Sequence, residues 1–166
     1  HEMGHYGTNY YLRAMIAYKG LGANLIEDAV YYGTYDDAQP AKLNGSNKYT
    51  LTLNPIPPTQ AFWSLTMYNN QGLFIENTVG GVGRYAVGHD SLCPLVTTTN
   101  SDGTESAVIY IQSEPIDESD SRYPNWLPAP TPDQENGDFN VMIRVYWPGD
   151  AVTDGSWIPP AVELVS

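Results

Sequence analysis

Two stretches of the chain alternate apolar and polar positions with a period of two, and both carry aromatic residues at their ends. In PPTQAFWSLTMYN (57–69), Trp63, Leu65 and Met67 share one face and Ser64 and Thr66 the other, with Phe62 and Tyr68 closing the two ends. In residues 139–146, Phe139, Val141, Ile143 and Val145 fall on one side and Asn140, Met142, Arg144 and Tyr146 on the other. A period of two predicts half-buried β-strands, and the Pro57-Pro58 pair forbids a helical entry to the first of them. The second face of residues 139–146 is neither solvent-like nor core-like, which predicts a concave surface or cleft carrying an arginine.

The same criterion extends to shorter elements. Tyr49 to Leu53 alternates cleanly as YTLTL. Gly72 to Asn77 reads as the hairpin partner of the 57–69 strand across Asn69-Asn70-Gln71-Gly72, and Arg84-Tyr85 opens a short strand ending at Val87. Leu92 to Thr98 and Ala107 to Gln112 are joined through Asn100-Ser101-Asp102-Gly103, a strong turn signal, and Trp157 to Val165 supplies a last extended segment. A 3.6-residue period occurs only near the start, with Leu12, Met15, Ile16 and Lys19 on one side, Thr8 or Asn9 as cap, and Gly20 and Gly22 as terminators. Residues 21–48 read as irregular, and Ser113 to Asp138 as one long, proline-punctuated acidic loop. The sum is an all-β, antiparallel sandwich with one short N-terminal helix, spanning residues 1–166 as a single domain.

Composition supports that class: thirteen tyrosines, four tryptophans, thirteen prolines and fifteen glycines suit short strands and turns. Charge narrows the partners. Nineteen acidic residues against seven basic ones give a net charge of -12, which disfavours nucleic acid, anionic membranes and other polyanions and leaves cations, neutral ligands and sugars. Cys93 is the only cysteine, so no internal disulfide forms, and no apolar run approaches the roughly twenty residues of a membrane-spanning helix. The acidity, with the glycosylation sequon Asn44-Gly45-Ser46, points to a secreted or extracytoplasmic protein and makes Asn44 a candidate glycosylation site.

Several motifs carry chemistry in other contexts. Residues 1–5, HEMGH, match the H-E-x-x-H zinc pattern, with His1 and His5 as candidate ligands and Glu27 as a downstream carboxylate, but Gly4 lies inside the motif and Gly7 just beyond it. A copper site of His1 with His5 or His89 would require a processed terminus at His1. Calcium is the natural cation for the acidic stretch 113–138, although no D-x-D-x-D-G loop occurs in it. The VGGVG bend at 79–83 lacks the following helix and lysine of a phosphate loop. There is no Gly-x-Ser-x-Gly elbow and no Ser/His/Asp set. The expectation is a domain without a cofactor and without catalytic residues.

Six phrases in order, YLRAMIAYKGLGAN (11–24), LNGSNKYTL (43–51), PPTQAFWSLTMYN, Arg84-Tyr85, YPNWLPAP (123–130) and RVYWP (144–148), together resemble the domain-of-unknown-function 1214 family, often found C-terminal to a 1254 domain. The resemblance implies a jelly-roll-like β-sandwich with a helix near its start, and a 1254-like domain as partner preceding this chain. It implies no established reaction. Two positions depart from the family pattern: Asn69 stands where an aspartate is usual, and the loop before LNG reads Asp36-Asp37-Ala38.

Three of the four arginines lie in those phrases, which makes Arg13, Arg84 and Arg144 the centre of a candidate ligand site. They are expected to converge with Asp36 or Asp37, Asn77 and Asn125 near Trp63, Trp126 and Tyr146. The competing expectation is structural, with arginines holding carboxylates or loop carbonyls and Trp126 plugging an end of the sandwich. Three functions follow: an exported binding or structural module acting in carbohydrate recognition or in self-assembly, an enzyme gripping an anion with arginines, or a histidine-dependent metal enzyme.

Overall fold

The structure is a computed structural model that describes residues 3–77, 83–89 and 94–165. It is a sandwich of two sheets. The first, in the order β1-β8-β3-β4, is antiparallel throughout and joins β1 (Ala29–Thr34), β8 (Asn140–Pro148), β3 (Thr59–Tyr68) and β4 (Ala86–Gly88). The second runs β5-β6-β2-β9, with β5 (Thr98–Thr99), β6 (Glu105–Gln112), β2 (Tyr49–Leu53) and β9 (Glu163–Leu164), while β7 (Trp126–Pro128) lies parallel to β6.

The two strongly alternating segments are neighbours. β3 and β8 pair over eight positions from Thr59↔Pro148 to Tyr68↔Asn140, with one register shift between Thr59 and Phe62. This register puts Trp63, Leu65 and Met67 beside Val145, Ile143 and Val141 on the inner face, where all six are buried. Leu51, Leu53, Ile109 and Ile111 of the opposite sheet close the same core. Burying each such side chain contributes roughly 1.5 to 3 kcal/mol, which fixes the register, since a one-residue slip would turn the apolar set to solvent.

Several elements differ from the sequence expectation. Gly72 to Asn77 is not the hairpin partner of β3. The Asn69 carboxamide accepts from the backbone N–H groups of Gln71 (3.0 Å) and Leu73 (2.8 Å), and the chain then leaves the ladder as Phe74 stacks on Tyr68; β4 pairs there instead. β1 lies inside the stretch read as irregular, and β7 inside the acidic loop. Both are legible only through a partner, β1 along the edge of β8 and β7 beside β6. Among the described residues of 92–98, only Thr98 is in a strand, and of 157–165 only Glu163 and Leu164. Val79 to Val82 and Cys93 lie outside the described residues.

The helix α1 (Tyr10–Lys19) forms where the period predicts, capped by Asn9, whose side chain accepts from the Leu12 N–H at 3.0 Å. It buries none of its residues; Tyr10, Tyr11 and Tyr18 are 70%, 79% and 92% exposed. No helix among the described residues is long and apolar enough to cross a membrane.

Candidate functional site

The outer face of the first sheet is where a solvated antiparallel sheet would carry polar side chains. Here it carries rings. Phe62 and Tyr146 are cross-strand partners and stack with centroids 4.6 Å apart, and Tyr31 of β1 meets Tyr146 edge-on at 6.5 Å. Further along β3, Tyr68 stacks on Phe74 at 5.2 Å, and Phe74 tilts against Tyr85 at 5.4 Å. Arg144 belongs to both groups. Its cross-strand partners are Tyr31 and Ser64, and its guanidinium lies 5.2 Å from the centroid of Tyr68 while donating to the Tyr68 hydroxyl at 2.8 Å. Phe62 and Tyr85 are each 39% exposed and Phe74 61%, so the rings present area to solvent.

Arg144 enters none of the three ion pairs among the described residues, which are His5–Glu27, Lys48–Glu114 and Arg122–Asp120. The Tyr68 ring holds the Arg144 guanidinium by cation–π attraction, and its hydroxyl accepts from one of the five donors of that planar fork.

Arg84 lies elsewhere and is held by backbone carbonyls and a tyrosine ring. Its Nη1 donates to the carbonyls of Tyr123 (2.6 Å) and Trp126 (2.9 Å), and its guanidinium sits 4.8 Å from the centre of the Tyr123 ring. Asn77 Nδ2 donates to the Arg84 carbonyl, and Asn77 Oδ1 is buried without a partner among the described residues. Asn125 is a strut: its Nδ2 donates to the carbonyls of Val96 and Val108 and its Oδ1 accepts from the Val96 N–H. Trp126 is fully buried, its indole N–H donating to the Gln112 carbonyl at 3.0 Å. This group pins the YPNWLPAP segment against β6, which is the structural alternative for these residues.

The candidate residues therefore separate into five places. Arg144 and Tyr146 lie on the outer aromatic face; Asn77, Arg84, Asn125 and Trp126 form the internal brace; Trp63 is in the core. Arg13 is exposed on α1. Asp36 forms an isolated bridge with Lys42, and the buried Asp37 accepts from the backbone of Gln39 (2.8 Å) and Ala41 (3.0 Å), which caps the turn. Tyr31, Phe62, Tyr68, Phe74 and Tyr85 are the ring residues that sequence reasoning missed. The available signal was the aromatic character of the positions bounding β3, Phe62 and Tyr68.

The other motifs resolve as follows. His5 Nε2 lies 3.0 Å from both carboxylate oxygens of Glu27, and that exposed pair ties the first turn to the loop before β1. Met3 to His5 do not form a helix, Gly4 has φ +86°, and His1 is outside the described residues. Among the described residues no three His, Cys, Asp or Glu side chains gather as a metal would need. The Asn44 carboxamide of the sequon donates to the Asn136 carbonyl and to Asp138 Oδ1, both at 2.8 Å, so an attached glycan would displace one of these bonds.

In the acidic stretch, the Asp117 carboxylate accepts from Ser119 and that of Asp120 from the Arg122 side chain and N–H. Hydrogen bonds from the Arg122 guanidinium, then from its backbone, hold the Asp120 carboxyl at about 2, below its ordinary value. A depressed carboxyl favours the folded arrangement above its unfolded value, and that contribution is lost as pH falls through about 2. A carbon-detected NMR titration of Asp120 is expected to show this low midpoint, and Arg122→Ala to return it toward about 4.

The described fold is similar to the VPA0106 protein from Vibrio parahaemolyticus, with a TM-score of 0.73 and 25% sequence identity, over 93% of this chain and 35% of that one. The chain thus spans about a third of the length of that protein. No curated protein matches it. The family described as protein of unknown function (DUF1214) matches residues 28–150, from the loop before β1 to the end of β8, and the chain belongs to that family.

Proposed function

We propose that the domain is a binding module that takes a sugar chain bearing an isolated carboxylate on the aromatic outer face of its first sheet. The observation that supports this is Arg144, a cation that enters no ion pair among the described residues and is set among partly exposed rings. Sugar rings present apolar C–H faces that pack on aromatic surfaces such as Phe62 and Phe74, and a guanidinium meets a carboxylate through two parallel hydrogen bonds. The net charge of -12 opposes a polyanion, so the ligand chemistry is a mostly neutral glycan with one uronate. The acidic surface also suits an exported protein working in a saline medium, which is part of the same proposal.

A second reading concerns α1. A helix that buries none of its residues while exposing Tyr10, Tyr11, Tyr18 and the nearby Leu21 supports a contact with another domain, such as a 1254-like one, or with a second copy. Titration calorimetry with a uronate-containing trisaccharide against its neutral counterpart tests the first reading, with preference for the acidic sugar expected. Light scattering tests the second: self-association that Tyr18→Ser abolishes supports the contact between copies.

A further inference from the structure

Among the described residues the two sheets end on β1 and β4 and on β5 and β9, and all but one of these edges are short: β4 has three residues, β5 and β9 two each. β1 has six, paired with β8 in one unbroken register from Ala29↔Tyr146 to Thr34↔Val141. A long, regular edge is a template for another strand, and proteins ordinarily protect it with a lysine, a proline, a bulge or brevity. AVYYGT contains no charged residue and no proline, and its register carries no bulge.

The pairing fixes which backbone groups are unused. The Trp147 N–H donates to the Asp28 carbonyl at 2.8 Å, one step before Ala29↔Tyr146. Bonded pairs alternate along an antiparallel ladder, so Val30, Tyr32 and Thr34 bond to β8, while the backbone groups of Ala29, Tyr31 and Gly33 point away from it. The Ala29 N–H is taken by the Leu25 carbonyl at 3.1 Å. The N–H and C=O groups of Tyr31 and Gly33 have no partner among the described residues, and Gly33 is exposed. Two residues apart, they have the spacing at which an added strand bonds. Val30, Tyr31 and Tyr32 are each only half-buried, so such a strand also covers apolar area on both faces of the sheet.

Charge selects the occupant. Asp28, just before the strand, and Asp36, two residues after it, are exposed and enter no ion pair among the described residues. Antiparallel self-pairing about Tyr32 would set Asp28 of one copy opposite Asp36 of the other, like charge against like charge between two chains of net charge -12. The same carboxylates favour a strand with cationic ends.

We infer that the free edge of β1 is a docking site for an extended segment of a partner protein, a short run of alternating apolar and polar residues flanked by basic ones, which adds to the first sheet as a further strand. The bonds run through backbone groups of Tyr31 and Gly33, so this site is separate from the aromatic face and from Arg144.

The test is NMR of 15N-labelled protein titrated with three end-capped peptides: KTVTVTVK, the same peptide N-methylated at every inner residue, which keeps the charges and loses the donors, and ETVTVTVE. The Tyr31 and Gly33 amide resonances are expected to move saturably with the first peptide alone, and their exchange with solvent to slow. Gly33→Pro removes one outward N–H where a free edge admits proline, so it should keep the wild-type melting temperature and weaken the peptide by at least about tenfold. The N-methylated peptide tests the same backbone bonds on the wild-type protein. Asp28→Asn with Asp36→Asn should weaken binding about threefold to tenfold, and Arg144→Ala should leave it intact, which keeps the edge distinguishable from the sugar-binding face. Unmoved Tyr31 and Gly33 resonances, or an equal response to the N-methylated or the acidic peptide, would each overturn the assignment. Slowed exchange at these two amides that grows with protein concentration, in the absence of peptide, would overturn it in favour of a second copy.

Discussion

Trp126→Ala is expected to destabilise the domain by about 3 to 5 kcal/mol, the range for deleting a large aromatic from a core. Trp126 is fully buried, packs near Tyr123 with ring centroids 6.2 Å apart, and gives its indole N–H to the Gln112 carbonyl. Removing it leaves a cavity beneath β7 and takes one of two donors from the Gln112 carbonyl, which keeps the Ala129 N–H at 3.0 Å. Trp126→Phe restores most of the volume but not the donor, so a loss of about 0.5 to 1.5 kcal/mol, the net worth of one hydrogen bond, is expected. Urea unfolding monitored by far-ultraviolet circular dichroism gives both values. A loss below about 1 kcal/mol for the alanine variant would mean that the YPNWLPAP segment does not brace the sandwich, since domains are held by only about 5 to 15 kcal/mol in total.

Arg84→Ala is the second large effect, with about 2 to 3 kcal/mol lost as the carbonyls of Tyr123 and Trp126 give up hydrogen bonds to a charged donor. Arg84→Lys should recover only part of this. An ammonium is a point charge on a flexible stem, and it cannot stack on Tyr123 as a planar guanidinium does. Thermal unfolding of the two variants separates geometry from charge: equal stability of Arg84→Lys and wild type would show that charge alone suffices at this position.

The strands differ in how much of each was legible in the chain. The alternation of residues 59–68 and 140–148 was readable because both strands bury one complete face, and YTLTL was readable for the same reason. β1 was not. AVYYGT shows no clean alternation in its burial, because Gly33 breaks the pattern and Tyr31 and Tyr32 are both half-buried on opposite faces. β7 has all three residues buried, a pattern without periodicity, and only its pairing with Tyr110, Ile111 and Gln112 makes it a strand.

The site was legible in part. Arg144 and Tyr146 stood out because they occupy the face of β8 that should have been polar. Tyr31, Phe74 and Tyr85 could not be joined to them without knowing that β1 lies beside β8 and that the chain after Asn69 folds back over Tyr68. Arg84 was grouped with Arg144 because both lie in family-like phrases. The fold sends the two side chains to unrelated partners, one to internal carbonyls and one to a half-buried tyrosine ring.

The most direct measurement is titration calorimetry of wild-type and Arg144→Ala protein with a uronate-containing trisaccharide, each paired with a melting curve. The expected result is saturable binding by the wild type, loss of at least about tenfold in affinity in the variant, and an unchanged melting temperature. Equal affinity in both proteins, or a variant that unfolds early without any wild-type binding, would contradict the assignment of the aromatic face as a binding surface.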